Sequence, residues 1–435
     1  MRRFEQQLVD SPVPLALLRI AVAFVVLVSP ELHDAPRLAS DPARLAFPPE
    51  GLRSLDAVLT VTPGLARVLQ IVAFSSAATS ILGYRSRVSL AALTISAGLL
   101  FSLSQRSGAV LHDMHLFWMT ALLAASPCAD TLSLDAWGKE RPPPSMRYGV
   151  PLAFARLFLG VVYLFPGIHK LATSGTAWMT ASNVIGHMQA KWLQYGTVPA
   201  LRLDQHPWLC SMGAIFVVAF EVSFVVLAIA TPRTRLVALV GGVVFHLATL
   251  LCFFIPFTAL WACYVVLLPA RWIDRRDADD RAPARAPIVV GAIIACAAIV
   301  QGARGQTQAW PFACYPTFAH VQPHEIPDLL VEATLRDGTT RRLTGREHGI
   351  RSQADWGRVF RISGAYGEAP NDSALRDHAR AVLATASPSI PNEAISRVTV
   401  RRVMVPTAPS RWAETPPEGA GVVVADVTEW RATTP

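Results

Sequence analysis

The stretch PLAFARLFLGVVYLFPGIHKL, residues 151–171, decides the fold class. It is 21 residues long and almost wholly apolar, and about 20 such residues cross a bilayer. Yet it carries Arg156 near one end and His169 and Lys170 at the other. Charged groups at membrane depth cost roughly 2.5–3.5 kcal/mol each at a helix centre and normally face a bundle interior. The stretch therefore reads as a spanning helix that turns a polar edge inward.

Eight further segments of the same character lie around it, at about 13–30, 64–83, 88–104, 109–127, 208–231, 235–254, 256–270 and 288–303. Over the 435 residues, 52% are hydrophobic and 16% charged, against roughly a quarter charged in an ordinary soluble domain. Residues 1–304 hold 25 Lys and Arg against 17 acids, whereas residues 305–435 balance 14 Arg against 14 acids. The expectation is an all-α polytopic membrane bundle of about nine transmembrane helices (1–304) with a small α+β extramembrane domain (305–435). The net charge of +8 falls on the membrane part, which argues for basic loops on one membrane face and against a nucleic-acid partner. With the N-terminus placed in the cytoplasm, inner loops hold 14 Lys and Arg and outer loops 6. That asymmetry predicts an integral plasma- or inner-membrane protein with its C-terminal domain outside. Six cysteines show no CxxC spacing, so no thiolate metal centre is expected, while Cys210 and Cys314 fall on one side and are either a disulfide or two free thiols.

Outside the spans, 172–207 mixes Trp, Met and Ile with His187 and Lys191 and is either a helix in the interface or an irregular loop. In the tail, the alternation from Leu329 to Leu335, the Asp337-Gly338 turn and a short run to Leu343 predict a hairpin. Residues 372–385 read as helix and 395–405 and 420–427 as strands; the Pro-rich stretches 141–144 and 415–417 read as linkers.

The intramembrane polar residues are the candidate site: Arg19, His112, Asp113, His115, Arg156, His169, Lys170, Glu221 and His246. Tyr163, Gly167 and Lys170 recur at i, i+4, i+7 and so share a helix face. Only three of 39 basic residues are Lys, so a Lys at 170 departs from the strong habit of this chain. An ammonium can be brought to release its proton and a guanidinium cannot. Lys170 is thus either a base in an outer-half pocket or a side chain reaching for headgroups, and His246 is either a ligand-facing or a hydrogen-bonded core histidine. Arg19 and Arg156 read as structural, and Glu221 can partner either Arg156 or Lys170.

Three stretches resemble the vitamin K-dependent gamma-carboxylase-like proteins that share the HTTM domain: HDMHLFW (112–118) with Ser133-Leu134-Asp135, the segment Arg156 to Trp178, and Phe245-His246 through Ile255. Glu221 and the loop TPRTR (231–235) fit the same pattern. The resemblance implies that Lys170 is the base toward a reduced naphthoquinone, with dioxygen and carbon dioxide as co-reactants, and that His115 and His246 assist. From their positions among the intramembrane polar residues, His112, Tyr163, His169 and Glu221 are expected to bind the substrate, with His112 alternatively a polar cap of its helix. The resemblance also implies membrane lipids and a quinone-like lipid as partners, a lyase or epoxidase activity, and no metal. Met114 and Pro256 depart from the family's usual Asn and Gly, and the tail is much smaller than the lumenal region with which the family grips its protein substrate. A non-catalytic lipid or quinone binder similar to the DoxX-like proteins is the alternative, and a transporter a third, disfavoured because no inverted repeat is visible.

Overall fold

In the computed structural model, residues 8–428 are described except 42–45, 47, 49, 57, 107–112, 270–273, 275, 280, 306–308, 315–317, 345–349, 351–352, 365–370, 385–394 and 413–419. His112 and the stretch 415–417 lie outside the described residues.

Each apolar segment holds a helix within its described residues. Pro12–Val28 (α1) and Pro30–Leu38 (α2) meet at Ser29 with a bend of 40°, because Ser29 ends one helix and Pro30 opens the next. After the short Leu52–Asp56 (α3) come Pro63–Leu82 (α4), Ser86–Arg106 (α5), Met114–Ala125 (α6) and Met146–Ser174 (α7). Ala181–Tyr195 (α8) follows, then Pro207–Ile229 (α9), Pro232–Phe253 (α10), Thr258–Cys263 (α11) and Arg285–Ala303 (α12). Six of these are long and apolar enough to cross a membrane, or seven with α1 and α2 taken as one span. Among the described residues the expected nine spans are therefore not confirmed. The segments expected at 109–127 and 256–270 are short apolar helices, Met114–Ala125 and Thr258–Leu267, the second ending in a 3-10 turn.

Contacts between the loops sort the helix ends into two faces. On one, the backbone of Asp10 pairs with Ser145, Asp279 N donates to Pro144 O, and the Asp135 carboxylate accepts from the backbone N–H groups of Arg85 and Ser86. The Ser133-Leu134-Asp135 stretch is thus a helix cap, where an acceptor satisfies the free N–H groups of α5. Arg19 joins this face by donating to the carbonyls of Cys128 and Leu132. The Pro-rich 141–144 is a pinned strap here rather than a linker, since Arg276 donates to the carbonyls of Arg141 and Pro142. On the opposite face, Arg106 pairs with Asp56, Arg304 with Glu50, and Gln322 N donates to Asn183 Oδ1. α7 runs between the two faces and is largely enclosed, packing on α9 and α12.

The tail is a four-stranded antiparallel sheet in the order β2-β1-β3-β4, with Glu325–Leu335 (β1), Thr340–Arg342 (β2), Ile395–Pro406 (β3) and Val422–Thr428 (β4). The expected hairpin is present, Glu332 opposite Arg342, with Gly338 at φ +88° making the turn. Gln353–Ser363 (α13) and Asp372–Ala384 (α14) join it, and Leu329, Val331, Ala333, Leu375, Ala379, Val398 and Val400 fill the core between. Arg37 and Asp41, beyond α1, pair with Asp355 and Arg358 of α13, so the domain sits on the face that holds α8. Within 172–207, Ala181–Tyr195 form helix α8, flanked by 3-10 turns at Gly175–Met179 and Leu203–Gln205. The six cysteines are free: Cys210 and Cys314 are buried in separate apolar clusters, which overturns the disulfide.

Candidate functional site

Close approach of two helices builds the site. A Cβ on Gly160 would lie 2.8 Å from Val225, and one on Gly167 would lie 2.9 Å from the Glu221 Cβ. Two glycines a heptad apart on α7 therefore let its backbone come against α9, the device by which membrane helices pack without apolar driving force. One turn beyond Gly167, Lys170 Nζ donates to both carboxylate oxygens of Glu221, at 2.7 and 2.8 Å. Both residues are 4% exposed. The ammonium also lies 5.1 Å from the centre of the Trp178 ring. Glu221 thus belongs to Lys170, and Arg156 takes Asp10 instead.

Two turns back on the same face of α7, the Tyr163 hydroxyl is 2.6 Å from His246 Nε2 of α10 and hydrogen-bonded to the Tyr264 hydroxyl. Tyr264 reaches this point because residue 242 is glycine: a Cβ there would fall 2.3 Å from the Tyr264 oxygen. Phe220, Phe224, Phe245, Phe257 and Trp261 surround the trio with ring centres 4.2–5.9 Å from Tyr163 or His246. His115 of α6 is fully buried and within electrostatic reach of His246, as Glu221 is of Tyr163. Among the described residues, His246 Nδ1 and Trp261 Nε1 are buried without a hydrogen-bond partner. Both atoms are able to hydrogen-bond a polar group brought against the aromatic cluster.

The structure brings together Lys170, Glu221, Tyr163, His246 and His115. It sends His169 elsewhere: Nε2 bonds the Gly302 carbonyl at 2.8 Å, fastening α12. Sequence reading missed Tyr264, Trp261 and Trp178. The Gly241-Gly242 pair one turn before His246 was the available sign that a bulky group approaches α10 there.

Above Lys170, α8 forms a cover. Trp178 Nε1 donates to Phe318 O, Asn183 Nδ2 to Trp178 O, and His187 Nε2 meets His320 O at 3.1 Å. Burial first, and the neighbouring His320, Lys170 and Lys191 groups, hold the His187 imidazole down to about 3. Burial likewise lowers the Lys191 ammonium to about 8.

Long apolar helices, a buried ion pair and an aromatic-lined hydroxyl–imidazole cluster define an integral membrane protein with a polar site inside its bundle. The family model described as HTTM domain matches residues 11–272, more than half of the chain, and the protein belongs to that family. This is the domain found in vitamin K-dependent gamma-carboxylase-like proteins. No curated protein and no solved structure matches the chain.

Proposed function

We propose that the protein is a quinol-oxygenating membrane enzyme of the epoxidase or carboxylase type, with Lys170 as the base. The observation that carries the reading is the Lys170–Glu221 pair, buried on the helix face that also presents Tyr163 to His246 and Tyr264. Lys170 supplies an amine, which unlike a guanidinium can exchange a proton, directly beside a buried carboxylate. Burial at 4% exposure keeps water from competing for a strong base formed nearby.

The reduced naphthoquinone supplies, with dioxygen, the strong base that carboxylation of a carbon acid by carbon dioxide calls for. What the chain supplies is binding and proton handling. The rings of Phe245, Phe257 and Trp261 hold the planar substrate, His246 and Tyr163 orient its hydroxyl toward Lys170, and His115 tunes His246 from α6. The substrate enters from surrounding lipid. The face bearing Arg85, Arg87, Lys139, Arg141, Arg147 and Arg276 is assigned to the cytoplasm of a plasma or inner membrane, which puts the C-terminal domain and the α8 cover outside.

The test is mass-spectrometric detection of quinone epoxide from lipid-reconstituted protein given reduced naphthoquinone and oxygen. Wild type should form epoxide and Lys170→Arg, which keeps the charge and loses the base, should form none. Quinol binding by both proteins without epoxide from either would leave a lipid-binding site in place of an enzyme.

A further inference from the structure

A second polar cluster lies at the other end of α7, on the face opposite the C-terminal domain. Asp10, 1% exposed, accepts from Arg156 Nη2 at 2.5 Å and lies 3.9 Å from Arg235 Nη1. Asp274 accepts from Ser11 Oγ at 3.2 Å and pairs with Arg276 at 2.7 Å and with Arg141 at 3.8 Å. Asp274 thus serves two largely exposed guanidiniums, while the two buried ones, Arg156 and Arg235, share the single carboxylate of Asp10. Removing a charge from water without a partner costs several kcal/mol, so an excess of buried cation requires an anion. Arg156 is 1% exposed and Arg235 6%.

Two buried polar atoms without partners lie in the same place. Arg235 Nε, on a side chain 8% exposed and directed at Asp10, has no acceptor. Ser145 Oγ, on the residue whose backbone pairs with Asp10, has neither donor nor acceptor. From Arg235 onward, α10 turns Val237, Val240 and Val244 outward at 58%, 56% and 52% exposure. That is a surface for acyl chain directly below a site for an anion.

We propose that Arg235, Ser145 and Arg156 form a phosphate-binding site that takes the headgroup of an anionic phospholipid, with its acyl chain along the valines of α10. A guanidinium suits this task because its planar fork matches phosphate oxygens, and basic pockets between membrane helices are where acidic headgroups lodge. The site is remote from Lys170 along α7 and needs no turnover to be read.

The full chain is reconstituted in phosphatidylcholine nanodiscs with and without phosphatidylglycerol, and its thermal midpoint and lipids retained in native mass spectrometry are measured. Wild type should show a higher midpoint with phosphatidylglycerol and keep that lipid through delipidation. Arg235→Gln should lose both, and Arg87→Gln, at an exposed arginine of the same face, should lose neither. Should Arg235→Gln fail to fold, Ser145→Ala carries the test with a smaller midpoint shift than wild type. A rise caused by inorganic phosphate in pure phosphatidylcholine, with none from phosphatidylglycerol, would keep the phosphate site and overturn the lipid as its source. No response to either, or an equal response from Arg235→Gln, would overturn the proposal.

Discussion

Glu221 offers both of its oxygens to one ammonium, and neither partner reaches water. Removing one member of such a pair strands the other charge, at a cost of about 3–5 kcal/mol, while exchanging both for apolar groups of similar size is close to neutral. Lys170→Met and Glu221→Leu should each lower the thermal midpoint markedly, and the double variant should recover most of the loss. Equal losses that add in the double variant would mean the two side chains act separately. Lys170 was legible because the chain otherwise uses Arg. The partner of Glu221 was not: Arg156 and Lys170 both lie on α7, and only the glycine contacts that set the register of α7 against α9 choose between them. Tyr264 was illegible for a related reason, since it stands in a short 3-10 turn with no periodicity to assign it a face.

α8 shows what an amphipathic segment outside the spans does. It lays His187 between the buried Lys170 and the exposed His320, and burial holds its ring neutral. An imidazole lowered from 6.5 to about 3 leaves the unfolded chain binding the extra proton between those values, so stability falls as pH drops through that window. The midpoint of wild type should decline from pH 6.5 toward 4, and His187→Gln should decline less; an identical slope would remove His187 from the account. The apolar content of the helices was readable, although 109–127 and 256–270 hold helices shorter than a span, and so was the hairpin, whose Asp337-Gly338 turn admits few other structures. Whether 172–207 was helix or loop was not, because its apolar residues pack on α9, α10 and the segment near Phe318, partners that no local pattern names.

At the scale of the molecule, the membrane bundle and the C-terminal domain are tied by a chain of charges: Arg37 and Arg358 both reach Asp355, and Arg358 also reaches Asp41. Asp355 is 1% exposed and serves two guanidiniums. Asp355→Ala should weaken docking by about 3 kcal/mol or more, read as faster proteolytic release of the C-terminal domain, with the Lys170 site unaffected. Arg37→Ala, at a half-exposed side chain, should do less. The rise in charge density along the tail set it apart from the apolar helices, but the docking was not legible, since it joins residues more than 300 apart.

Thr258–Leu267 runs for ten residues, about 15 Å of helix against roughly 30 Å of hydrocarbon. It is preceded by Phe254 and Phe257 at positive φ, a non-helical turn next to His246 and Trp261. The chain therefore reverses within the protein on a turn that abuts the aromatic cluster, and non-helical backbone at membrane depth is tolerated where protein surrounds it, as Phe257, Ala259 and Leu260 are surrounded by the core here.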